Sequence, residues 1–151
     1  MNAAVTPFSE SVVIKWADFD PAGLLHPSRA ISFAMDVLEV WFRDVIGVSW
    51  QEFLDDYDID TPSVRAECEF LRPTKADMKI EFGVSVERLG RSSVTFSMGG
   101  RDGAGLHYFR IKMVLVFVSI KEGFKATEVP PNLRQRITAY REACDEASTN
   151  P

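Results

Sequence analysis

Hydrophobic and polar positions divide the chain into a helical first third and a strand-rich remainder. Apolar side chains recur at helical spacing between Ser28 and Gly47, which predicts one long helix that the Ser28 hydroxyl caps and the glycine ends. Such a broad stripe, with two large aromatic side chains, requires a concave partner, such as a sheet curled around the helix. The stripe consists of Ile31, Ala34, Met35, Leu38, Trp41, Phe42 and Val45.

The elements on either side of this helix are short. β-branched and aromatic residues in 10–17 predict a first strand, and the Asp- and Pro-rich segment 18–27 predicts a turn between that strand and the helix. After the helix, Ser49 and Glu52 have the spacing of a capping box, so a second helix is expected to begin there and to end at Tyr57.

From Pro62 onward the pattern becomes alternating. It predicts strands at 64–71, 78–89, 92–98 and 107–120, with a tight turn at Gly90 between the second and third of these. Alternation is lost over 113–118, as in a strand buried on both faces. A terminal helix is predicted at 130–147, opened by two prolines, with Leu133, Ile137 and Tyr140 on one face. This order of elements predicts an α+β fold in which an antiparallel sheet of about five strands wraps around one long central helix.

Composition narrows the class of protein. A chain of 151 residues has the length of one ordinary domain, so a single domain over 1–151 is expected. With 46% hydrophobic and 26% charged residues, the sequence is typical of a globular protein and not of a disordered or membrane-embedded one. The net charge of −5 argues against binding to duplex nucleic acid, which needs a basic face.

Neither a metal site nor an exported protein is indicated. The two cysteines lack the spacing of a metal knuckle, and the aspartates between positions 55 and 60 lack the central glycine of an EF-hand. The first eleven residues have neither the basic nor the apolar region of a secretory signal. We therefore expect a cytoplasmic protein without a metal.

The segment Asp18-Phe19-Asp20-Pro21-Ala22-Gly23 lies between the predicted strand and the long helix. In this context it resembles the hot-dog-fold acyl-CoA thioesterases of the 4-hydroxybenzoyl-CoA thioesterase type; weaker similarities lie at Thr61, at 87–92 and at 126–130. The resemblance implies a hot-dog fold and thioester hydrolysis with no cofactor, coenzyme A being part of the substrate. It also implies a homodimer or homotetramer with active sites at the interface, which agrees with the need to pair or cover exposed sheet edges.

The resemblance also assigns roles within the turn. Asp20 matches the family's catalytic carboxylate, which acts as a nucleophile or as the base that activates water. Hydrolysis further needs hydrogen-bond donors for the oxyanion, and amides at a helix N-terminus can provide them. Because the turn is one residue shorter than is usual in the family, the donor is placed at the His26 amide, with Gly23 and Leu24 as neighbours. The His26 side chain either transfers a proton or orients the turn, and Asp18 is expected to stabilise the turn itself.

The resemblance assigns the substrate contacts less specifically than the residues of the turn. Thr61 either lines the pocket or begins a strand, and the helix position that binds the 4-hydroxyl of 4-hydroxybenzoyl-CoA in its thioesterase falls on Ala34, which weakens the case for that substrate. The phosphates of coenzyme A need local cations in an acidic protein. The candidate cations at the predicted hairpin are Arg88 and Arg91, with Arg72, Lys75 and Arg101 as alternatives, and Ser92 at the same hairpin is a further candidate for substrate binding.

The expected function is hydrolysis of a small aromatic or short-chain acyl-CoA thioester. Two alternatives stay open. A hot-dog enoyl-CoA hydratase or dehydratase needs an Asp and a His to move a proton and water, although Asp20 and His26 lie too close in the sequence for that arrangement. A non-catalytic hot-dog protein that binds acyl-CoA or an acyl carrier is the other alternative, because one fold supports many functions.

Overall fold

The structure, a computed structural model, describes residues 7–149. The strands are β1 (Ser9–Val13), β2 (Ile59–Asp60), β3 (Ser63–Phe70), β4 (Lys79–Leu89), β5 (Ser93–Arg101), β6 (His107–Val116), β7 (Val118–Ser119) and β8 (Lys125–Ala126). Five of them form an antiparallel sheet in the order β1-β4-β5-β6-β3, and the three two-residue strands form a second sheet in the order β2-β7-β8. The helices are α1 (Pro27–Trp41), α2 (Trp50–Tyr57) and α3 (Pro131–Thr149).

The start of α1 differs from the sequence prediction. His26 is the N-cap residue, and its imidazole Nδ1 accepts a hydrogen bond from the Ser28 amide at 3.3 Å. The predicted cap at Ser28 is therefore wrong. Pro27 explains the difference, because proline has no amide hydrogen and a preset φ, and is favoured at the first helical position.

The end of α1 agrees with the prediction. The helix continues into a single π turn and ends at Gly47, which adopts a left-handed conformation with φ of 79°. Ile31, Met35 and Val45 lie at the border of the buried face and are only partly buried. The buried face consists of Ala30, Phe33, Ala34, Val37, Leu38, Trp41, Phe42 and Ile46.

Trp41 packs α1 against both the large sheet and α3. Its fully buried ring meets Phe96 of the sheet edge-to-face at 5.1 Å and Tyr140 of α3 at 5.2 Å. Aromatic pairs in this geometry add to the stabilisation that burial itself provides. The predicted arrangement, with the sheet packed around the central helix, is confirmed.

Two predicted strands are longer than the observed ones. The strand predicted at 10–17 ends at Val13, because Trp16–Asp18 form a 3-10 turn whose Asp18 amide donates to the Lys15 carbonyl at 3.0 Å. The strand predicted at 107–120 ends at Val116. Alternation persists there within the single chain, with Met113 and Leu115 buried and the valines after them only partly buried, so the prediction of burial on both faces is wrong.

The two edges of the larger sheet differ in how far other elements cover them. At one edge, β1 pairs only with the first half of β4, and α3 covers the remainder, where the Tyr140 hydroxyl donates to the Val84 carbonyl at 2.5 Å. At the other edge, every residue of β3 except Cys68 is exposed, including Val64 and Phe70. The outer side of β3 therefore presents a continuous row of backbone groups to solvent.

Candidate active site

The turn before α1 is held by the carboxylate of Asp18, which is 1% exposed. One carboxylate oxygen accepts from the Lys15 amide at 2.8 Å, and the other accepts from Nε of Arg29 at 2.7 Å. The Asp18 carbonyl accepts from the His26 amide at 2.9 Å. These contacts confirm that Asp18 stabilises the turn.

Asp20 lies at the tip of the same turn, which is a miniature antiparallel hairpin with a bridge between Phe19 and Leu25. The Asp20 amide donates to the Leu24 carbonyl at 2.7 Å, and the Leu24 amide donates to Oδ1 of Asp20 at 3.0 Å. Gly23 has a φ of 80°, a left-handed conformation that glycine adopts without strain. Within residues 7–149, Oδ2 of Asp20 accepts no hydrogen bond, so this oxygen is available for chemistry.

Two cavities meet at Asp20. The larger, of about 760 Å³, includes Trp16 and Lys75 in its lining, and the smaller, of about 380 Å³, is mostly apolar. Asp20 and Thr74 line both cavities. The carboxylate therefore lies where an open, partly polar cavity joins a smaller apolar one.

Phe109 forms a firmly supported wall of the smaller cavity. Its ring stacks on Phe82 at 6.0 Å and meets Phe70 edge-to-face at 5.8 Å. Behind it, a Cβ atom on Gly100 would lie 2.7 Å from Phe109 Cδ2, so only glycine allows this close approach. The Phe109 ring therefore has little freedom to move and fixes this wall of the cavity.

The predicted oxyanion donors are already engaged in the turn. The amides of Gly23 and Leu24 donate to Asp20, and the amide of His26 donates to the Asp18 carbonyl. Each amide would have to leave its present acceptor before it could bind an oxyanion. The roles of Gly23, Leu24 and His26 in oxyanion binding stay predictions.

The His26 side chain is exposed and acts as the cap of α1. Besides the Ser28 amide, its Nδ1 contacts the Ser28 hydroxyl at 2.8 Å. This arrangement orients the start of the helix. A proton-transfer role for His26 stays a prediction.

The other predicted site residues lie away from Asp20 within the single chain. Thr61 is buried in the connection between β2 and β3 and lines a separate cavity of about 290 Å³. Arg88, Arg91 and Ser92 lie at the β4–β5 hairpin. Because β4 has 11 residues, at roughly 3.3 Å each, this hairpin is separated from the loop before β4 by roughly 35 Å along the strand.

The residues that flank Asp20 instead come from the loop between β3 and β4. Lys75 and Arg72, which were alternatives in the sequence analysis, line the larger and the smaller cavity respectively. Thr74 was not predicted, and the available signal was indirect: Pro73 interrupts the strand pattern two residues after the apolar strand end at Leu71. Ala34 is completely buried in the core.

Two further features of the described chain concern thiol and metal chemistry. Burial raises the pKa of Cys68 to about 11, so this thiol is protonated at neutral pH and is a poor nucleophile. No cluster of three or more potential metal ligands occurs in the described part of the chain.

None of the helices described over 7–149 has both the length and the apolar character needed to cross a membrane.

An antiparallel sheet packed around a central helix is the arrangement of the hot-dog fold. The family model of the thioesterase-like superfamily matches residues 14–137, and the chain belongs to this superfamily. The predicted fold and the predicted enzyme class, a thioester hydrolase, are thereby confirmed. Among the curated proteins, none matches this chain.

Solved structures agree with this assignment. A thioesterase superfamily protein from Jannaschia sp. CCS1 is 28% identical, with a TM-score of 0.78 over 88% of this chain and 92% of that one. A 1,4-dihydroxy-2-naphthoyl-CoA thioesterase from Synechocystis is 16% identical, with a TM-score of 0.79 over 88% and 96%. A 4-hydroxybenzoyl-CoA thioesterase variant in complex with 4-hydroxybenzoyl-CoA is 19% identical, with a TM-score of 0.76 over 86% and 97%. At such low identity, the last two similarities establish the fold alone.

Proposed function

We propose that this protein hydrolyses acyl-CoA thioesters with a small aromatic or short-chain acyl group, using the carboxylate of Asp20. The observation that carries the proposal is the position of Asp20 at the junction of two cavities. In the bound substrate, the acyl group occupies the smaller apolar cavity and the pantetheine arm of coenzyme A leaves through the larger one. The thioester carbonyl then lies beside Asp20.

Two routes use this geometry. As a nucleophile, an oxygen of Asp20 bonds to the carbonyl carbon, and the carbon–sulfur bond breaks to release the thiolate of coenzyme A; water then hydrolyses the mixed anhydride. As a general base, Asp20 accepts a proton from water while the water oxygen bonds to the carbonyl carbon, and the proton then passes to the departing sulfur. Both routes regenerate the carboxylate.

The dimensions of the smaller cavity support a compact acyl group. Its volume of about 380 Å³ lies at the lower end of the range of roughly 300–1,000 Å³ typical of ligand pockets. The rings of Phe70 and Phe109 in its lining favour a flat acyl group. Two of the similar structures are thioesterases of aromatic acyl-CoA molecules.

The open outer side of β3 supports a homodimer, and we extend the proposal to pairing through this strand; a homotetramer would consist of two such dimers. In an antiparallel pair, β3 of the second copy runs in the opposite direction to β3 of the first. The β4–β5 hairpin of the second copy, which carries Arg88, Arg91 and Ser92, then lies at the same end of the joined sheet as Asp20 of the first copy. This arrangement would bring the predicted phosphate ligands toward the nucleotide of the substrate, beside Lys75.

Replacing Ala66 by proline is expected to convert the dimer into a monomer. The Leu71 amide donates to the Tyr108 carbonyl at 2.9 Å, so alternation along β3 directs the Ala66 amide to the open side of the strand. Proline removes that donor without removing a hydrogen bond to β6, and edge strands tolerate it. Light scattering measures the mass, and Ala66→Ser is the matched control that keeps the amide. A dimeric Ala66→Pro protein with unchanged circular dichroism would exclude pairing through β3.

A thiol-release screen tests the proposed activity. Aromatic, short-chain and long-chain acyl-CoA substrates are compared at equal concentration, and we expect the highest kcat/KM for an aromatic or short-chain ester. Hydration of an enoyl-CoA without thiol release from any saturated ester would favour the hydratase alternative. In that alternative Nε2 of the His26 imidazole would transfer the proton, because Nδ1 contacts Ser28.

A non-catalytic acyl-CoA binding protein is the second candidate, and one observation favours it. All three amides predicted to bind the oxyanion have acceptors within the turn. A protein of this kind would bind an acyl-CoA ester in a calorimetric titration and would release no thiol from the same ester in the screen. Binding without thiol release would therefore favour this candidate over the hydrolase.

A further inference from the structure

Trp16 is the most exposed large hydrophobic residue in the described part of the chain. Its relative exposure is 84%, compared with 63% for Phe124, the next in order, and 0% for Trp41. Tryptophan is highly buried on average, because covering so large a ring removes much apolar surface from water. An indole that lies in solvent beside a candidate active site therefore calls for a functional explanation.

The backbone holds Trp16 in a defined position. The residue begins a 3-10 turn in which the Asp18 amide donates to the Lys15 carbonyl at 3.0 Å, and the Lys15 amide donates to the Asp18 carboxylate at 2.8 Å. The Trp16 carbonyl accepts from the Phe19 amide at 3.3 Å. The exposed ring is thus attached to a turn that hydrogen bonds fix on both sides of it.

Trp16 borders the larger of the two cavities that meet at Asp20 and does not border the smaller one. The Asp20 turn forms one side of the larger cavity, and residues 74–76 form the other. Lys75 is the single cation in this lining. In the proposed substrate complex the pantetheine arm leaves through the larger cavity, so it passes the indole on its way to solvent.

Pairing of two copies through β3 does not account for the exposed ring. Trp16 lies three residues beyond the end of β1, and β1 and β3 are the opposite edges of the five-stranded sheet. A second copy on β3 therefore lies at the other edge. It leaves the indole open to a ligand.

The chemistry of the pantetheine arm matches an aromatic surface. The arm is uncharged and consists of two amides, short methylene segments, a hydroxyl and a carbon with two methyl groups. Methyl and methylene groups pack against an aromatic ring, and this contact removes apolar surface of both partners from water. The phosphates of coenzyme A lie beyond the arm and need cations instead.

We propose that the Trp16 indole packs against the pantetheine arm of the bound acyl-CoA, beyond the amide nearest the sulfur. This assignment rests on the proposed function for the identity of the ligand. It makes Trp16 a specificity-determining residue that selects thioesters by their carrier and not by their acyl group. The contact is the same in the ground state and in the transition state, so its loss raises KM and changes kcat little.

The first test compares two thioesters of the same acyl group: the acyl-CoA, and the ester of N-acetylcysteamine, which ends at the amide nearest the sulfur. Trp16→Ala should raise KM for the acyl-CoA by about 10- to 100-fold, as for uncovering roughly half of the area that an indole can bury. It should leave kcat/KM for the short ester unchanged, and Trp16→Phe should keep most of the affinity. An unchanged KM for the acyl-CoA, or an equal loss on both esters, would overturn the assignment.

Phe124→Ala is the matched control for this test. Phe124 is the second most exposed aromatic residue of the described chain, lies between β7 and β8, and lines neither cavity. The control should keep the KM and the kcat of the natural protein. Circular dichroism should show the same Tm for Trp16→Ala and the natural protein, because the exposed ring buries little surface within the chain.

The second test does not depend on turnover. Acrylamide quenches the fluorescence of exposed tryptophan, and of the three tryptophans Trp41 is buried and Trp50 is partly buried. Saturating coenzyme A should reduce quenching of the natural protein and leave quenching of Trp16→Phe unchanged. If no ester is hydrolysed but this protection occurs, the Trp16 contact stands and the hydrolase proposal fails. Absence of protection, or quenching without ligand that is no stronger than in Trp16→Phe, overturns the contact even where esters are hydrolysed.

Discussion

The Asp20→Asn variant is expected to lose thiol release from every acyl-CoA that the natural protein hydrolyses. Loss of a general base lowers kcat by about 10²–10⁴-fold, and loss of a nucleophile lowers it further. The turn should survive, because the amide oxygen of Asn can still accept from the Leu24 amide, which now lies 3.0 Å from Oδ1. Substrate affinity should change little, since the cavity walls are untouched.

Asp77→Asn is the matched control for this experiment. Asp77 is an exposed aspartate on the neighbouring loop, and its φ of 66° is a left-handed conformation that Asn tolerates well. The control should keep the activity of the natural protein. Hydrolysis by Asp20→Asn at the natural rate would remove Asp20 from the reaction and leave the carboxylate mechanism without its main residue.

The Arg29→Leu variant should have the largest effect on stability near the site. It leaves the carboxylate of Asp18, 1% exposed, without its cation, and breaking a buried pair in this way costs about 3–5 kcal/mol. We expect the lower end of that range, because the Arg29 side chain is 45% exposed and water can approach the pair. Urea unfolding measures the change in the free energy of unfolding.

A second arginine provides the comparison. Arg43 pairs with Asp44 at 2.7 Å, but both side chains are at least half exposed, so Arg43→Leu should change stability much less than Arg29→Leu does. A double variant, Asp18→Asn with Arg29→Leu, should recover part of the loss because it no longer buries an unpaired charge. Equal effects of Arg29→Leu and Arg43→Leu would show that the buried pair does not stabilise the turn.

Local signals in the sequence predicted much of the fold. Gly47 ends the central helix, and Ser49 with Glu52 forms the expected capping box, with the Ser49 amide donating to Glu52 at 2.8 Å. The start of α1 was displaced because a histidine served as the cap, a residue outside the usual set of Ser, Thr, Asp and Asn. These features depend on neighbours within a few residues, which is why most of them could be predicted.

The site was predictable only in part, because its two sides come from distant segments. Asp20 and the turn around it were identified from one motif, whereas the opposite wall comes from the loop between β3 and β4. Neither the register of β3 on β6 nor the cavity it helps to form is encoded in local spacing. For the same reason the sequence could not distinguish Lys75, which lines a cavity together with Asp20, from Arg91, which lies at the far hairpin.

The terminal helix has a consequence for the size of any assembly. It covers the part of β4 that the five-residue β1 leaves uncovered, so the edge on that side is reduced to β1, whereas the other edge is the eight-residue β3. The longer edge offers more backbone groups for pairing with a second copy, so pairing through β3 is favoured over pairing through β1. By shortening one edge, Tyr140 and its helix favour a closed pair over open-ended growth of the sheet.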